Sequence, residues 1–236
     1  MRRKKNAAAR LDACRDFILE KPATPMCEPD KMLDMPGASV YLEIGAGKGG
    51  FATKMAKKHG DVCYFAMERV TDCVVLAAEL ASASAEEGRD NLRFMIDGAD
   101  SLFEWFAPGT VDRIFLNFSD PWSKKGYAKR RLTHRKYLAI YMNLLKDGGE
   151  LRFKTDNVGL FDFSLEEIEA IGLKCDIVTR DLHASEHAAD NVMTEYETAF
   201  VSAGMKINML ALTKPVGFSI EIPEVNCCRR GEKNGG

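Results

Sequence analysis

Short apolar segments alternate with segments of helical length along most of this chain, and that alternation most constrains the fold. We predict strands at 40–44, 62–67, 92–96, 111–118, 150–154, 174–179 and 205–212. The segments between them predict helices at 51–58, 70–85, 101–106, 131–145 and 161–171, and a polar loop at 181–194. Such alternation predicts an α/β fold: a doubly wound, mostly parallel seven-stranded sheet with helices on both faces.

Length and composition indicate a single main domain. The chain has 236 residues and 46% apolar content, enough for one full core. We place that domain at 37–214, after a basic, proline-containing N-terminal arm at 1–36 and before a C-terminal tail at 215–236. A short helix is predicted within the arm at 10–20, and the rest of the arm is expected either to lie over the domain or to be mobile.

Cysteine usage and hydropathy indicate a cytoplasmic protein without a metal site. The seven cysteines are odd in number, contain no Cys-x-x-Cys and form no zinc-ligand spacing with histidine. Free thiols suit a reducing compartment. No apolar run approaches the length needed to cross a membrane, and no signal-peptide pattern opens the chain.

The stretch 114–136 joins a buried strand to a dense basic run. Its apolar part ends in Asp120-Pro121-Trp122, which places Asp120 and Trp122 at the carboxyl end of a strand, where open α/β sheets bind their ligands. Seven of the thirteen residues at 124–136 are Lys or Arg, although the formal net charge of the whole chain is −2. This local charge favours a polyanionic partner; the alternative is the solvated face of a helix.

A glycine-rich turn follows the first predicted strand. Gly45, Gly47 and Gly50 fit Gly-x-Gly-x-x-Gly between a strand and a helix, and Glu68 ends the next strand, where an acid can accept hydrogen bonds from ribose hydroxyls. The combination favours an adenosine-containing cofactor over a tight turn with no ligand.

The acids around that turn discriminate between two cofactors. A dinucleotide places a pyrophosphate at the helix N-terminus, and Glu43, two residues before Gly45, would not help there. S-adenosylmethionine instead carries an ammonium and a sulfonium. Carboxylates stand at the ends of four successive predicted strands and form an acidic pocket suited to that cationic cofactor: Glu43, Glu68, Asp97 and Asp120.

The chain resembles the bacterial tRNA (guanine-N7-)-methyltransferases, class I enzymes that methylate a guanine of the tRNA variable loop with S-adenosylmethionine. The resemblance extends from about Ser39 to about Ala211. Its motifs are Glu43-Ile44-Gly45-x-Gly47-x-Gly49, Leu116-Asn117-Phe118-Ser119-Asp120-Pro121-Trp122, Lys129-Arg130-Arg131-Leu132-Thr133, Phe153-Lys154-Thr155-Asp156-Asn157, Asp181-Leu182-His183-Ala184-Ser185 and Met193-Thr194-Glu195-Tyr196-Glu197. Ser123 stands where the family usually has proline, and Gly126-Tyr127 where it usually has Arg-His.

This resemblance implies a role for each matching residue. Asp120 is the expected catalytic residue and also contacts the cofactor. The remaining expected cofactor contacts are Glu43, Gly45, Gly47, Glu68 and either Asp97 or its neighbour Gly98. The expected guanine and tRNA contacts are Lys124, Asp156, Thr194, Glu195, Tyr196 and Glu197.

The chemistry of guanine N7 limits what these residues must do. N7 has a free lone pair and no proton, so the reaction needs no general base. It needs the base to be positioned and the developing positive charge to be stabilised. Asp120 and Asp156 suit both needs, although Asp156 could instead cap a turn. Thr194 and Glu197 also fit a capping box, and Tyr196 either stacks on a base or packs. Phosphate contacts are expected from Lys124, Lys125, Lys129, Arg130, Arg131, Arg135 and Lys136.

Three other functions fit part of the sequence. A methyltransferase of small molecules explains the cofactor pocket but not the basic run. A non-catalytic RNA-binding protein leaves the intact acids unexplained, and an NAD-dependent oxidoreductase conflicts with Glu43 and with Asp-Pro-Trp. We expect tRNA to be the partner, and we expect the protein to be a monomer or a homodimer.

Overall fold

The computed structural model describes residues 7–84 and 91–221, and within them seven strands form one sheet. The strands are β1 Ser39–Ile44, β2 Val62–Glu68, β3 Leu92–Ile96, β4 Val111–Asn117, β5 Leu145–Thr155, β6 Ile177–Thr179 and β7 Asn208–Thr213. Their order is β3-β2-β1-β4-β5-β7-β6, and only β7 runs against its neighbours. The predicted doubly wound, mostly parallel sheet is confirmed.

Helices cover both faces of this sheet. They are α1 Ala7–Ala13, α2 Gly50–Lys58, α3 Thr71–Ser84, α4 Leu102–Trp105, α5 Arg135–Leu144, α6 Val158–Ala170 and α7 Glu195–Ser202. Side chains of α4, α5 and α6 pack into the larger core cluster on one face, and α2 and α3 supply the cluster on the other. Because β1 to β5 are parallel, their carboxyl ends meet at one edge, which positions the candidate site.

Several element boundaries differ from the prediction for identifiable local reasons. Helix α5 begins at Arg135, not at 131, because His134 is its N-cap and accepts a hydrogen bond from the Lys136 amide at 3.1 Å. Strand β6 begins at Ile177 rather than at 174. Helix α7 follows the predicted polar loop directly; the sequence had suggested only its capping box.

The described part of the predicted arm lies over the domain. The Leu19 amide donates to the Phe94 carbonyl at 2.8 Å, and Met26 pairs with Phe106 in an isolated bridge. Arg10 of α1 donates to the Glu79 carboxylate of α3 from Nε at 2.6 Å and from Nη2 at 2.5 Å. Parts of three predicted segments lie outside the described ranges. They are residues 1–6 of the arm, residue 85 of the helix predicted at 70–85, and residues 222–236 of the tail.

The turn before α2 requires glycine at position 49. Gly49 has a φ of 77°, and a Cβ there would lie 2.6 Å from the Ala77 Cβ and 3.0 Å from the Phe94 ring. Both the left-handed backbone and the close approach of α3 therefore exclude a side chain.

We predict that Gly49→Ala lowers the free energy of unfolding by about 2–5 kcal/mol, the sum of left-handed strain and overpacking. Gly109→Ala is the matched control, since Gly109 has a φ of 69° but open space around it; it should cost only the strain, about 1–2 kcal/mol. Urea unfolding of both variants measures the difference. Equal losses would show that the Ala77 contact is unimportant.

Candidate active site

A cavity of about 940 Å³ opens at the carboxyl ends of the parallel strands. It brings together most residues predicted for the site, although they are far apart in the sequence. Its walls include Glu43, Gly45, Gly47, Glu68, Asp97, Gly98, Asp120, Asp156, Thr194, Glu195 and Tyr196. Two predicted residues, Lys124 and Glu197, are not part of its lining.

The glycine turn is held against the end of β2. The amides of Gly45 and Ala46 both donate to the Met67 carbonyl, at 2.8 and 3.0 Å. The Glu68 carboxylate accepts from the Gly47 amide at 3.1 Å and from the Val70 amide at 2.9 Å. Gly45 and Gly47 have φ values of 82° and 56°, which glycine adopts without strain. Glu68 thus fixes the turn and also lines the cavity.

Glu43 is a buried carboxylate with one oxygen left unpaired. Its Oε1 accepts from Asn117 Nδ2 at 2.9 Å, whereas Oε2 is buried and has no partner among the described residues. Burial raises the pKa of Glu43 to about 7, against the lowering effects of the Asn117 hydrogen bond and of the Lys154 charge. An unpartnered buried carboxylate oxygen on a cavity wall fits a cationic ligand, since such a group is costly to leave unpaired.

Asp97 is already engaged by the N-terminal segment. Its Oδ2 accepts from Lys21 Nζ and from Trp105 Nε1, both at 3.0 Å, and its Oδ1 accepts from the Gly98 amide at 2.8 Å. Burial would raise the pKa of Asp97, but the hydrogen bonds from Trp105 and Lys21 outweigh it and hold the pKa below the ordinary value. Lys21 therefore reaches the cavity wall from the arm, a contact that sequence reasoning did not identify.

Asp120 and Asp156 are carboxylates without internal partners. Neither forms a side-chain hydrogen bond or ion pair with any other residue in the described ranges, and both line the cavity. Asn157, not Asp156, caps α6 by accepting from the Leu160 amide at 2.8 Å. Asn157 therefore caps the helix in place of Asp156, and the Asp156 carboxylate remains available to a ligand.

The segment Thr194–Glu197 divides between a structural and an exposed part. Thr194 and Glu197 form the capping box of α7, with the Glu197 amide donating to Thr194 Oγ1 at 2.9 Å. The fully buried Glu197 carboxylate also accepts from Lys154 Nζ at 2.7 Å and from Asn191 Nδ2 at 2.5 Å, and it contacts His183 Nε2 at 2.9 Å. Glu195 and Tyr196 instead face the cavity, and Tyr196 is 63% exposed.

The Lys and Arg side chains at 124–136 fall into two groups, those with internal partners and those without an ion pair. Arg131 bonds to the Pro121 and Trp122 carbonyls, Arg135 to Glu167, and Lys136 to Asp100. These three side chains have internal partners, whereas the other four are exposed and have no ion pair among the residues that the structure describes: Lys124, Lys125, Lys129 and Arg130. Of these four, Arg130 lies over the rings of Trp122 and Tyr127. The expected phosphate contacts of the seven cations remain a prediction.

Comparison with known proteins gives the family. Residues 37–210 match the model of the family described as "Putative methyltransferase". The tRNA (guanine-N(7)-)-methyltransferase of Mesoplasma florum is 45% identical over 180 residues, covering 74% of this chain and 81% of the relative. The enzyme of the same name from Macrococcus caseolyticus is 42% identical over 171 residues, covering 72% of this chain and 80% of the relative. The chain belongs to the tRNA (guanine-N(7)-)-methyltransferase family.

Solved structures of more distant methyltransferases share the fold of this family member. The 16S rRNA methyltransferase KamB superposes with a TM-score of 0.60 at 13% identity, covering 84% of this chain and 99% of that one. An antibiotic-related methyltransferase gives a TM-score of 0.57 at 18% identity, covering 84% and 100%. At these identities the likeness concerns the fold alone. Within the described residues, no helix is long and apolar enough to cross a membrane, and no group of His, Cys, Asp and Glu side chains could hold a metal ion.

Lys154 of this methyltransferase is a buried residue whose role the sequence did not reveal. It lies in β5 and is 5% exposed, and its ammonium donates to Glu197, to Asn191 Oδ1 at 2.8 Å and to the Val192 carbonyl at 2.9 Å. Burial lowers the pKa of Lys154, and the charge of Glu197 opposes that lowering. The only local signal is a lysine inside an apolar strand, since its partners lie about forty residues later, at 191–197.

We predict that Lys154→Met lowers the free energy of unfolding by about 3–5 kcal/mol, because it leaves the Glu197 carboxylate buried without a cation. The double variant Lys154→Met with Glu197→Gln should be more stable than the single one, since it removes both charges. Urea unfolding of the two variants and of Glu197→Gln alone measures the coupling. Additive losses would contradict a paired role.

Proposed function

We propose that this protein transfers a methyl group from S-adenosylmethionine to N7 of a guanine in the variable loop of tRNA. One observation carries the proposal: a single cavity in a member of this family gathers the carboxylates of Glu43, Asp120 and Asp156, each with an oxygen that no described residue satisfies. Such a cavity favours positively charged ligands and cationic products. The relatives are named for guanine N7 in tRNA, which supports the substrate.

The glycine-turn side of the cavity would hold the cofactor. Glu43 Oε2 would pair with its ammonium, Glu68 would accept from the ribose hydroxyls, and the turn at Gly45 and Gly47 would let the backbone approach it closely. The adenine is assigned to Asp97 or Gly98 at the end of β3. Bound S-adenosylmethionine supplies an electrophilic methyl group on its sulfonium. The free thiols among the described cysteines support a reducing, cytoplasmic location.

The opposite side of the cavity would hold the guanine. Asp120 and Asp156 accept hydrogen bonds from N1–H and N2–H of the base, which orients N7. The same two negative charges favour the cationic 7-methylguanine over the neutral base, so they lower the barrier without removing any proton. Glu195 and Tyr196 on α7 contact the base from the rim. Thr194 and Glu197 hold that helix terminus in place.

The direct test is the identity of the product. Purified protein is incubated with labelled S-adenosylmethionine and unmodified tRNA transcript, and the RNA is digested to nucleosides. Labelled 7-methylguanosine from the variable-loop fragment is the expected result. A different methylated nucleoside, or cofactor binding with no RNA methylation, would refute the proposal.

Asp120 should be required for turnover. We expect Asp120→Ala and the isosteric Asp120→Asn to lower kcat by about 10²–10³-fold, because the charge that stabilises the cationic product is lost. Circular dichroism should be unchanged. Asp162→Asn is the matched control, since Asp162 lies on α6 outside the cavity and pairs with Arg180 at the surface; it should retain full activity. A folded Asp120→Ala protein with near-wild-type turnover would contradict the catalytic role of Asp120.

Cofactor affinity should depend on pH through Glu43. The ionised carboxylate binds the cofactor ammonium, and the pKa of Glu43 in the free protein is about 7, so affinity rises as the pH rises through that value. We expect the Kd for S-adenosylmethionine to fall on the order of tenfold from about pH 5.5 to about pH 7.5. Calorimetry measures this, and Glu43→Gln should bind weakly with no pH dependence. Wild-type affinity that stays flat over this interval would contradict the role.

A further inference from the structure

The turn that presents Asp120 to the cavity has an unusual backbone. Phe118 and Trp122, which flank Asp120 on either side, have φ values of 49° and 41°. Bulky L-residues rarely adopt such left-handed angles, and they keep them only when surrounding contacts impose them. The position of the Asp120 carboxylate therefore depends on whatever holds the two ends of this turn.

The backbone at one end is held by the sheet, and the backbone at the other end accepts hydrogen bonds from a single side chain. The Phe118 amide donates to the Lys154 carbonyl at 2.9 Å, which fixes the entry from β4. At the exit, Arg131 donates from Nε to the Pro121 carbonyl at 2.9 Å and from Nη2 to the Trp122 carbonyl at 3.2 Å. Within the described ranges no other side chain bonds to the backbone of 119–122.

The Arg131 guanidinium is itself fixed in place. Its central carbon lies 4.3 Å from the centre of the Phe163 ring, and Phe163 packs against the larger core cluster. One face of the guanidinium is thus covered, and two of its nitrogens point at the turn. The neighbouring Lys129 is exposed and has no ion pair within the described ranges, so it is better placed for contacts outside the protein. Arg130 is also exposed, but its guanidinium lies over the rings of Trp122 and Tyr127, at 5.0 and 4.8 Å from their centres.

We propose that Arg131 is a positioning residue: its guanidinium clamps the 118–122 turn so that Asp120 faces the reacting base, and it does not serve as a phosphate contact. The inference rests on the proposed function for what Asp120 does, but the clamp itself is a property of the chain. Lysine cannot replace arginine here, because an ammonium lacks the planar fork that reaches two adjacent carbonyls.

Steady-state kinetics at several salt concentrations distinguishes a clamp from a phosphate contact. Arg131→Lys keeps the charge and loses the fork. Lys129→Ala removes an exposed cation of the same basic run. Arg113→Lys is the matched structural control, since Arg113 also lies over an aromatic ring, that of Tyr41 at 4.9 Å, and pairs internally with Glu150 at 3.0 Å, outside the cavity.

The expected pattern separates kcat from the salt dependence of tRNA binding. Arg131→Lys should lower kcat by at least about tenfold, as a displaced reacting group does, with the wild-type salt slope retained. Lys129→Ala should raise the KM for tRNA and flatten the slope by about 0.7–0.9, and Arg113→Lys should change neither. An Arg131→Lys enzyme with normal kcat would overturn the clamp, whether or not its salt slope changed.

Fluorescence tests the clamp without any assumption about activity. The chain has two tryptophans, and Trp105 is only 2% exposed, so quenching by acrylamide reports on Trp122 in the turn. Arg131→Lys should give a larger quenching constant than wild type and Arg113→Lys. Unchanged quenching would overturn the clamp. If wild-type protein made no 7-methylguanosine, the proposed function would fail, and the quenching result would still decide whether Arg131 holds the turn.

Discussion

The buried ion pair between Lys154 and Glu197 connects the sheet to the helix that completes the cavity. Removing either charge would leave the other buried and uncompensated, so the pair fixes α7 against β5. That constraint places Tyr196, which lies two residues after the N-cap Thr194, at the cavity rim. On its other side, Lys154 lies opposite Asn117 in the β4–β5 register, and Asn117 donates to Glu43. Glu43, Asn117 and Lys154 therefore lie on the three adjacent strands β1, β4 and β5, between the glycine turn and α7.

The buried and cavity-lining acids of the chain differ in how much compensation the protein gives them. Glu167 and Asp97 are satisfied by internal cations and amides, and the pKa of each lies below its ordinary value although burial alone would raise it. Glu43 has only Asn117 on one oxygen, and Asp120 is presented by a left-handed turn. Unpaired carboxylates and strained backbone cost stability, and natural proteins keep them where a ligand supplies the missing partner.

The sequence predicted well those features that depend on residues close together in the chain. Apolar runs marked the strands, and because parallel strands end at one edge, the acids that follow them were expected to converge, as Glu43, Glu68 and Asp120 do. What it could not predict depends on residues distant in the chain. Nothing near Glu197 indicates that its carboxylate pairs with β5, and nothing near Lys21 indicates Asp97. The basic run is the clearest case, since Arg131 has the same local pattern as Lys129 and only the folded chain separates them.

The arrangement of charge explains how a chain with a formal net charge of −2 can take a polyanion as its proposed substrate. Seven carboxylates line the cavity against four basic side chains, those of Lys48, Arg69, Arg130 and Lys136, whereas Lys124, Lys125 and Lys129 lie exposed outside it. Screening at physiological salt weakens interactions between exposed charges that are more than about 8 Å apart. For the proposed substrate, we expect the exposed lysines to attract phosphates and the predominantly negative cavity to favour the purine once it becomes a cation. The local distribution of charge, rather than the net charge, therefore carries the argument for a polyanionic substrate.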